Sequence, residues 1–150
     1  GAGTGWWSTL LAGKGELWLY DSDGAALDAA LRRLMAHGLL AHLHERDPLA
    51  VADKAVDVVF AAHLLGAAQA DAGLAERLTI VRDWMKPGGS FVFLELQPGS
   101  SATAIDGPAG RLCPHSEEYL AAAMDKSGLK PQRIRHTHRA FVMGQARAAG

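Results

Sequence analysis

The chain holds one cysteine, Cys113, among its 150 residues. A lone cysteine excludes an internal disulfide and any multi-cysteine zinc or iron–sulfur site made from this chain alone, and it fits a reducing compartment. Long apolar runs are also missing. None approaches the ~20 residues that a helix needs to span a bilayer, so membrane insertion is not expected. No basic-then-apolar signal segment stands at the start of these residues. An excess of charge of one sign is absent too. Fifteen Lys and Arg against 16 Asp and Glu give a formal net charge of -1, which offers no overall reason to expect nucleic acid. Internal repeats are not found. What is present is 49% hydrophobic and 21% charged residues, a composition that excludes disorder and suffices for one domain with a buried core.

The near-neutral sum hides an asymmetry. Residues 1–125 carry 9 basic and 16 acidic groups, whereas residues 126–150 carry 6 basic groups and no acid. Within that basic end, Arg133, Arg135 and Arg139 are candidates to meet an acidic protein surface, because complementary charge steers encounters. Without an aromatic platform beside them, they are a weak signal for nucleic acid.

Strand and helix patterns alternate. Residues 1–15 are glycine-rich, hold Trp6 and Trp7, lack a clear period and read as an N-terminal arm or loop, with room at its start for residues left by cloning; residues 16–150 read as the domain proper. The run from Glu16 to Tyr20 reads as a buried strand stopped by the turn Asp21-Ser22-Asp23-Gly24. Leu27, Ala30, Leu31, Leu34 and Met35 recur at helical spacing, with Asp23 as cap and Gly38 as stop. Leu39 to His44 predicts a second strand broken by Asp47-Pro48, and Val56 to Ala61 a third, rich in β-branched residues. Leu74, Leu78, Val81 and Met85 mark one stripe of a helix ended by Lys86-Pro87-Gly88-Gly89, and Phe91 to Leu94 form another buried strand. Gln97 to Pro114 reads as a long loop. Ser116 caps a helix whose first turn carries Glu117 and Glu118, closed by Ser127-Gly128. Two antiparallel strands, about Gln132–His138 and Ala140–Arg147, complete the pattern. The expected fold is α/β: a mostly parallel sheet flanked by helices, with antiparallel C-terminal strands near an edge.

Several residues invite functional readings beside plainer ones. Gly1-Ala2-Gly3-Thr4-Gly5 is a GxGxG run, but such a loop works when a strand feeds it and backbone amides converge on a ligand. With no strand before it, a flexible terminus is the plainer account. Asp21 and Asp23 follow a strand, where an acid can grip ribose hydroxyls; helix capping and turn formation are the commoner use. His42 with His44, and His136 with His138, face one side of their strands, yet no third metal ligand is evident. His63 could serve as a general base, and a satisfied loop histidine is the plainer reading. Cys113 has no activating neighbour in sequence.

Val56-Asp57-Val58-Val59, the Lys86-Pro87-Gly88-Gly89 turn with its strand, and the helix ending Ser127-Gly128-Leu129 resemble the sheet-building signatures of class I S-adenosylmethionine methyltransferases. Together with Leu17 to Tyr20, the helix with Leu27, Leu31 and Leu34, and the terminal Phe141-Val142-Met143-Gly144, they resemble the N-terminal methyltransferase-like domain of the anamorsin family of cytosolic iron–sulfur assembly proteins. That resemblance implies a truncated Rossmann-like, non-catalytic docking domain, opening at its first strand without a cofactor loop. It implies a cytoplasmic location, no cofactor and no metal in this chain, 2Fe-2S clusters in a region beyond Gly150, and a diflavin reductase as partner, met through Arg133, Arg135 and Arg139. The alternative is an active methyltransferase of unknown substrate, with S-adenosylmethionine held by Gly1, Gly3 and Gly5 and its ribose by Asp21 or Asp23. Another doubly wound binding domain would fit the alternation but not the Lys-Pro-Gly-Gly turn and antiparallel finish.

Overall fold

A computed structural model of the chain describes residues 1–45, 54–66, 71–96, 98, 106–107, 110–111, 114–137 and 141–149. It divides into two compact units, Gly1–Val51 and Ala52–Gly150.

The first unit runs α1 (Trp6–Leu11), β1 (Trp18–Asp21), α2 (Gly24–Ala36) and β2 (His42–Glu45). Strands β1 and β2 pair in parallel, Trp18 opposite His42 through Asp21 opposite Glu45. Helix α2 starts where the sequence places it. Asp23 is extended, and its carboxylate accepts hydrogen bonds from the amides of Ala25 at 2.9 Å and Ala26 at 3.3 Å, satisfying donors that the helix itself cannot. Leu27, Ala30 and Leu34 bury one face of α2 against Leu19 of β1. Each fully buried leucine contributes about 2 kcal/mol. The buried stripe is narrower than its spacing predicts, for Leu31 is only half-buried and Met35 is 60% exposed.

The expected arm also differs. Residues 6–11 form a helix within residues 1–15, and what docks it is a close approach no periodicity displays. Gly5, with φ of 77°, lies so near α2 that a Cβ there would stand 2.8 Å from both Cα and Cβ of Ala30. Only glycine permits both that conformation and that approach.

The second unit contains β3 (Val56–Ala62), α3 (Asp71–Trp84), β4 (Met85–Leu96), the short β5 (Asp106–Gly107) and β6 (Gly110–Arg111), α4 (Glu117–Lys126), β7 (Leu129–Thr137) and β8 (Phe141–Ala148). Its main sheet has the order β3-β4-β8-β7. The pair β3–β4 is parallel, and β4–β8 and β7–β8 are antiparallel, the last as expected for the two C-terminal strands. Within the segment read as a loop, β5 and β6 make a separate antiparallel pair.

Leu74, Leu78 and Val81 of α3 are buried as expected, packing with Phe91 and Phe93 of β4, Leu120 and Met124 of α4, and Val142 and Ala146 of β8; Met85 is buried with them but opens β4, and Lys86-Pro87-Gly88-Gly89, expected as a turn, lies within that strand. Ser116 caps α4, its hydroxyl accepting the Tyr119 amide at 3.2 Å. Strand β8 alternates strictly, even-numbered residues from Val142 to Ala148 facing the core. At its centre Gly144 lies under the Phe93 ring. A Cβ at 144 would fall 2.2 Å from the ring Cζ, so the aromatic of one strand occupies the side-chain space of the next.

Candidate functional site

The first unit brings the glycine run and the acidic turn together. The amino nitrogen of Gly1 and the amide of Ala2 donate to the Tyr20 carbonyl at 2.9 and 2.8 Å. Next along the chain, the Gly3 amide donates to Oδ2 of Asp21 at 2.7 Å. The other Asp21 oxygen accepts the Asp23 amide at 3.0 Å. One carboxylate therefore joins the glycine loop to the turn that follows β1. The Gly5 amide closes the loop on the Ala2 carbonyl at 3.2 Å, and the Gly5 carbonyl accepts the Thr9 amide at 3.2 Å. Asp23, by contrast, is spent on capping α2.

The loop has a crowded side and an open side. Gly5 presses on Ala30, whereas Gly3, with φ of 53°, has among the described residues no heavy atom within 4 Å of where a Cβ would stand. The amides of Ala2, Gly3 and Gly5 are spent inside the loop, so a ligand on the open side would lie against the main chain at Gly3 and hydrogen-bond the strand-end carboxylate. On its other flank stands a side chain that no sequence motif marks. Arg33 of α2 donates from Nε to the Thr4 carbonyl at 3.0 Å, and its guanidinium carbon lies 5.5 Å from the centroid of the Trp6 ring.

The second unit holds a buried carboxylate at the C-terminal end of its parallel pair. Glu95 is 2% exposed and accepts the amides of Leu65 at 2.8 Å and Gly66 at 3.0 Å. Burial pushes its carboxyl up to about 7, against the opposing pull of those two amides and of the Arg77 charge. Arg77 of α3 donates to the Leu64 carbonyl at 3.0 Å, so the segment after β3 is held from two sides. His63 begins that segment with a φ of 59°, unusual for a residue with a side chain. Its backbone amide donates to the Leu94 carbonyl at 2.8 Å, and its buried Nδ1 has no hydrogen-bond partner among the described residues. Burial also holds its pKa below the ordinary value of 6.5.

Among the remaining candidates, His42 bridges to Glu16 at 3.0 Å and His136 to Glu117 at 3.0 Å. The side chain of His44 and all of Cys113, His138 and Arg139 lie outside the described residues. Among those described, no three His, Cys, Asp or Glu side chains come together as a metal site. Among the described residues, no helix is long and apolar enough to cross a membrane.

Arg133 and Arg135 are exposed on β7, and among the described residues neither makes an ion pair. The basic end is nevertheless less continuous in space than in sequence. Lys130 pairs with Asp125 at 2.8 Å, and Arg133 lines a groove together with Glu117 and Glu118.

No protein-family model matches the sequence, and no curated protein sequence does. Solved structures do match. One, described as a possible exported protein from Bordetella parapertussis, shares 23% identity at a TM-score of 0.71; the match covers 90% of this chain but only 54% of that one. An S-adenosylmethionine-dependent methyltransferase from Clostridium acetobutylicum matches at a TM-score of 0.84 and 13% identity, over 99% of this chain and 82% of its own. Another, from Methanosarcina mazei, matches at 0.82 and 15% identity, over 99% and 90%. At such identities the likeness speaks for architecture. The chain has a class I methyltransferase-like α/β fold, a mixed sheet with antiparallel C-terminal strands.

Proposed function

We propose that this chain binds S-adenosylmethionine and forms the donor-binding part of a methyltransferase. The observation that carries the reading is the 2.7 Å hydrogen bond between the Gly3 amide and Asp21, which unites the glycine loop with the strand-end acid. The likeness to structures described as S-adenosylmethionine-dependent methyltransferases supports it as well.

The residues present fit such a ligand. Gly1, Gly3 and Gly5 let main chain rather than side chains face it, and the empty space beside Gly3 is what a bulkier residue would fill. Asp21 uses one lone pair of each oxygen on backbone amides and keeps others for ribose hydroxyls. Asp23 keeps the turn in place through its cap. When bound, the cofactor supplies a methyl group made electrophilic by its sulfonium. The chain's own part is to orient it and shield it from water. The methyl acceptor is not specified by these residues.

Titration with S-adenosylhomocysteine, followed by calorimetry and thermal shift, tests the reading. Ligand at 100 times its dissociation constant should add about 2.7 kcal/mol of stability. Absence of saturable binding overturns the assignment.

A second reading draws on Arg133 and Arg135, exposed on β7 and unpaired among the described residues. As in the anamorsin-family resemblance, the chain would be a non-catalytic docking module of an iron–sulfur assembly and electron-transfer protein. It would bind no cofactor itself, with 2Fe-2S clusters elsewhere in the protein, and would meet an acidic face of a diflavin reductase. The glycine–aspartate junction supports the methyl-donor reading better, because a docking surface on β7 gives that junction no role.

A further inference from the structure

We propose that Arg33 is a positioning residue of the methyl-donor site, fixing the glycine loop in the shape that receives the ligand; this rests on the donor-binding reading above. Ala30 and Arg33 are three residues apart on α2 and so share a face. Ala30 forms the floor on which Gly5 rests, with no room for even a methyl group between them. Arg33 takes the preceding carbonyl, that of Thr4, at 3.0 Å through Nε. It also reaches the following residue, its guanidinium carbon 5.5 Å from the Trp6 ring centroid. Three successive residues, Thr4, Gly5 and Trp6, are thereby held by one helix face.

The opposite flank of the loop is held by Asp21 through the Gly3 amide at 2.7 Å. The two restraints are of opposite sign and grip opposite kinds of group, an anion on an N–H and a cation on a C=O. Gly3 and Thr4 are joined by a single peptide bond, so the pair of restraints fixes the orientation of the main chain on both sides of it. Drawing the Thr4 oxygen to Arg33 also keeps that acceptor occupied, leaving the open side of Gly3 for a ligand. A glycine loop left to itself would lose this order, since glycine has the most backbone freedom to surrender. Arginine suits the position better than lysine, because its planar group can donate in one direction while stacking on an aromatic face.

The test uses the full chain as Arg33→Ala and Arg33→Lys, with Arg32→Ala as a control on the same helix, and two readouts. Amide hydrogen exchange at residues 3–5 without ligand reads the brace. Calorimetry with S-adenosylhomocysteine reads its consequence. The expected result is faster exchange at these amides and affinity weakened about tenfold in Arg33→Ala, the scale of one lost charge-assisted hydrogen bond. Arg33→Lys should be intermediate, and Arg32→Ala unchanged in both. Unchanged affinity in Arg33→Ala, whatever its exchange rates, overturns the proposal while leaving the donor site intact. Failure of the unaltered chain to bind S-adenosylhomocysteine overturns the donor-site reading and the proposal together.

Discussion

Asp21 and Glu95 use the same device in two settings. Each stands at or near the C-terminal end of a strand, and each carboxylate accepts two backbone amides from neighbouring segments. Asp21 remains half-exposed, so solvent or a ligand can still reach it. Glu95 is sealed, and burial drives its carboxyl up to about 7. A carboxylate clamp at the surface can organise a loop and still serve a ligand. In the interior it organises a loop and carries a desolvation cost, which makes it sensitive to pH.

The comparison breaks most visibly if Glu95 is removed. Glu95→Ala leaves the Leu65 and Gly66 amides without their acceptor and should destabilise the chain by about 3 kcal/mol in chemical denaturation, while Asp21→Ala should cost about 1 kcal/mol because water can replace the lost acceptor. Equal losses at the two positions would show that burial does not separate them.

The pH dependence sharpens the same contrast. With a folded pKa raised to about 7 from an ordinary 4.5, Glu95 binds its proton more tightly in the folded chain. Its contribution is therefore largest below about 4.5 and is lost as pH rises to about 7, by at most about 3 kcal/mol. His63, whose folded pKa lies below 6.5, works in the opposite direction: its neutral folded form gains relative stability as pH rises towards 6.5. The difference between wild type and Glu95→Gln in thermal melts from pH 4.5 to 8 isolates the first contribution. A difference that does not change with pH would refute it.

A substitution in the first unit should affect ligand and fold together. Gly5→Ala places a methyl group 2.8 Å from Ala30 and forces a positive φ on alanine, at a cost of about 2 kcal/mol; denaturation and S-adenosylhomocysteine titration should both register it. Asp21→Asn, which retains one acceptor oxygen, should weaken that ligand by about tenfold with little change in stability. The smallest effect is expected from Arg133→Glu with Arg135→Glu. These exposed changes should alter stability by less than about 0.5 kcal/mol. They would slow association with an acidic diflavin reductase at low salt only if the docking reading holds.

Much of the framework was legible because it depends on local chemistry. Asp23 and Ser116 cap helices as their positions before helical patterns suggest, and Leu74, Leu78 and Val81 form the buried helical stripe that their spacing implies, while Met85 is buried from the start of β4. The site was legible only in pieces. The sequence shows a glycine run and two acids but not that Asp21 reaches back 18 residues to Gly3, nor that Asp23 is committed to a cap. Helix α1 escaped because its six residues are too few to display a period, and its docking depends on Gly5 meeting Ala30. Glu95 follows the apolar run Phe91 to Leu94, and nothing local marks it as buried. Its burial depends on amides 29 and 30 residues earlier in the chain. The basic end is uninterrupted only along the sequence, since in the fold Asp125 pairs with Lys130 and Glu117 with His136.

The stacking of Phe93 on Gly144 has a consequence for how this sequence can drift. Any side chain at 144 collides with the ring, and shrinking the ring leaves a hole over a bare backbone. Neither position can change alone without loss, whereas a smaller residue at 93 together with alanine at 144 could be tolerated. The two sites, 51 residues apart, are expected to behave as one unit of inheritance, each substitution opening the way for the other.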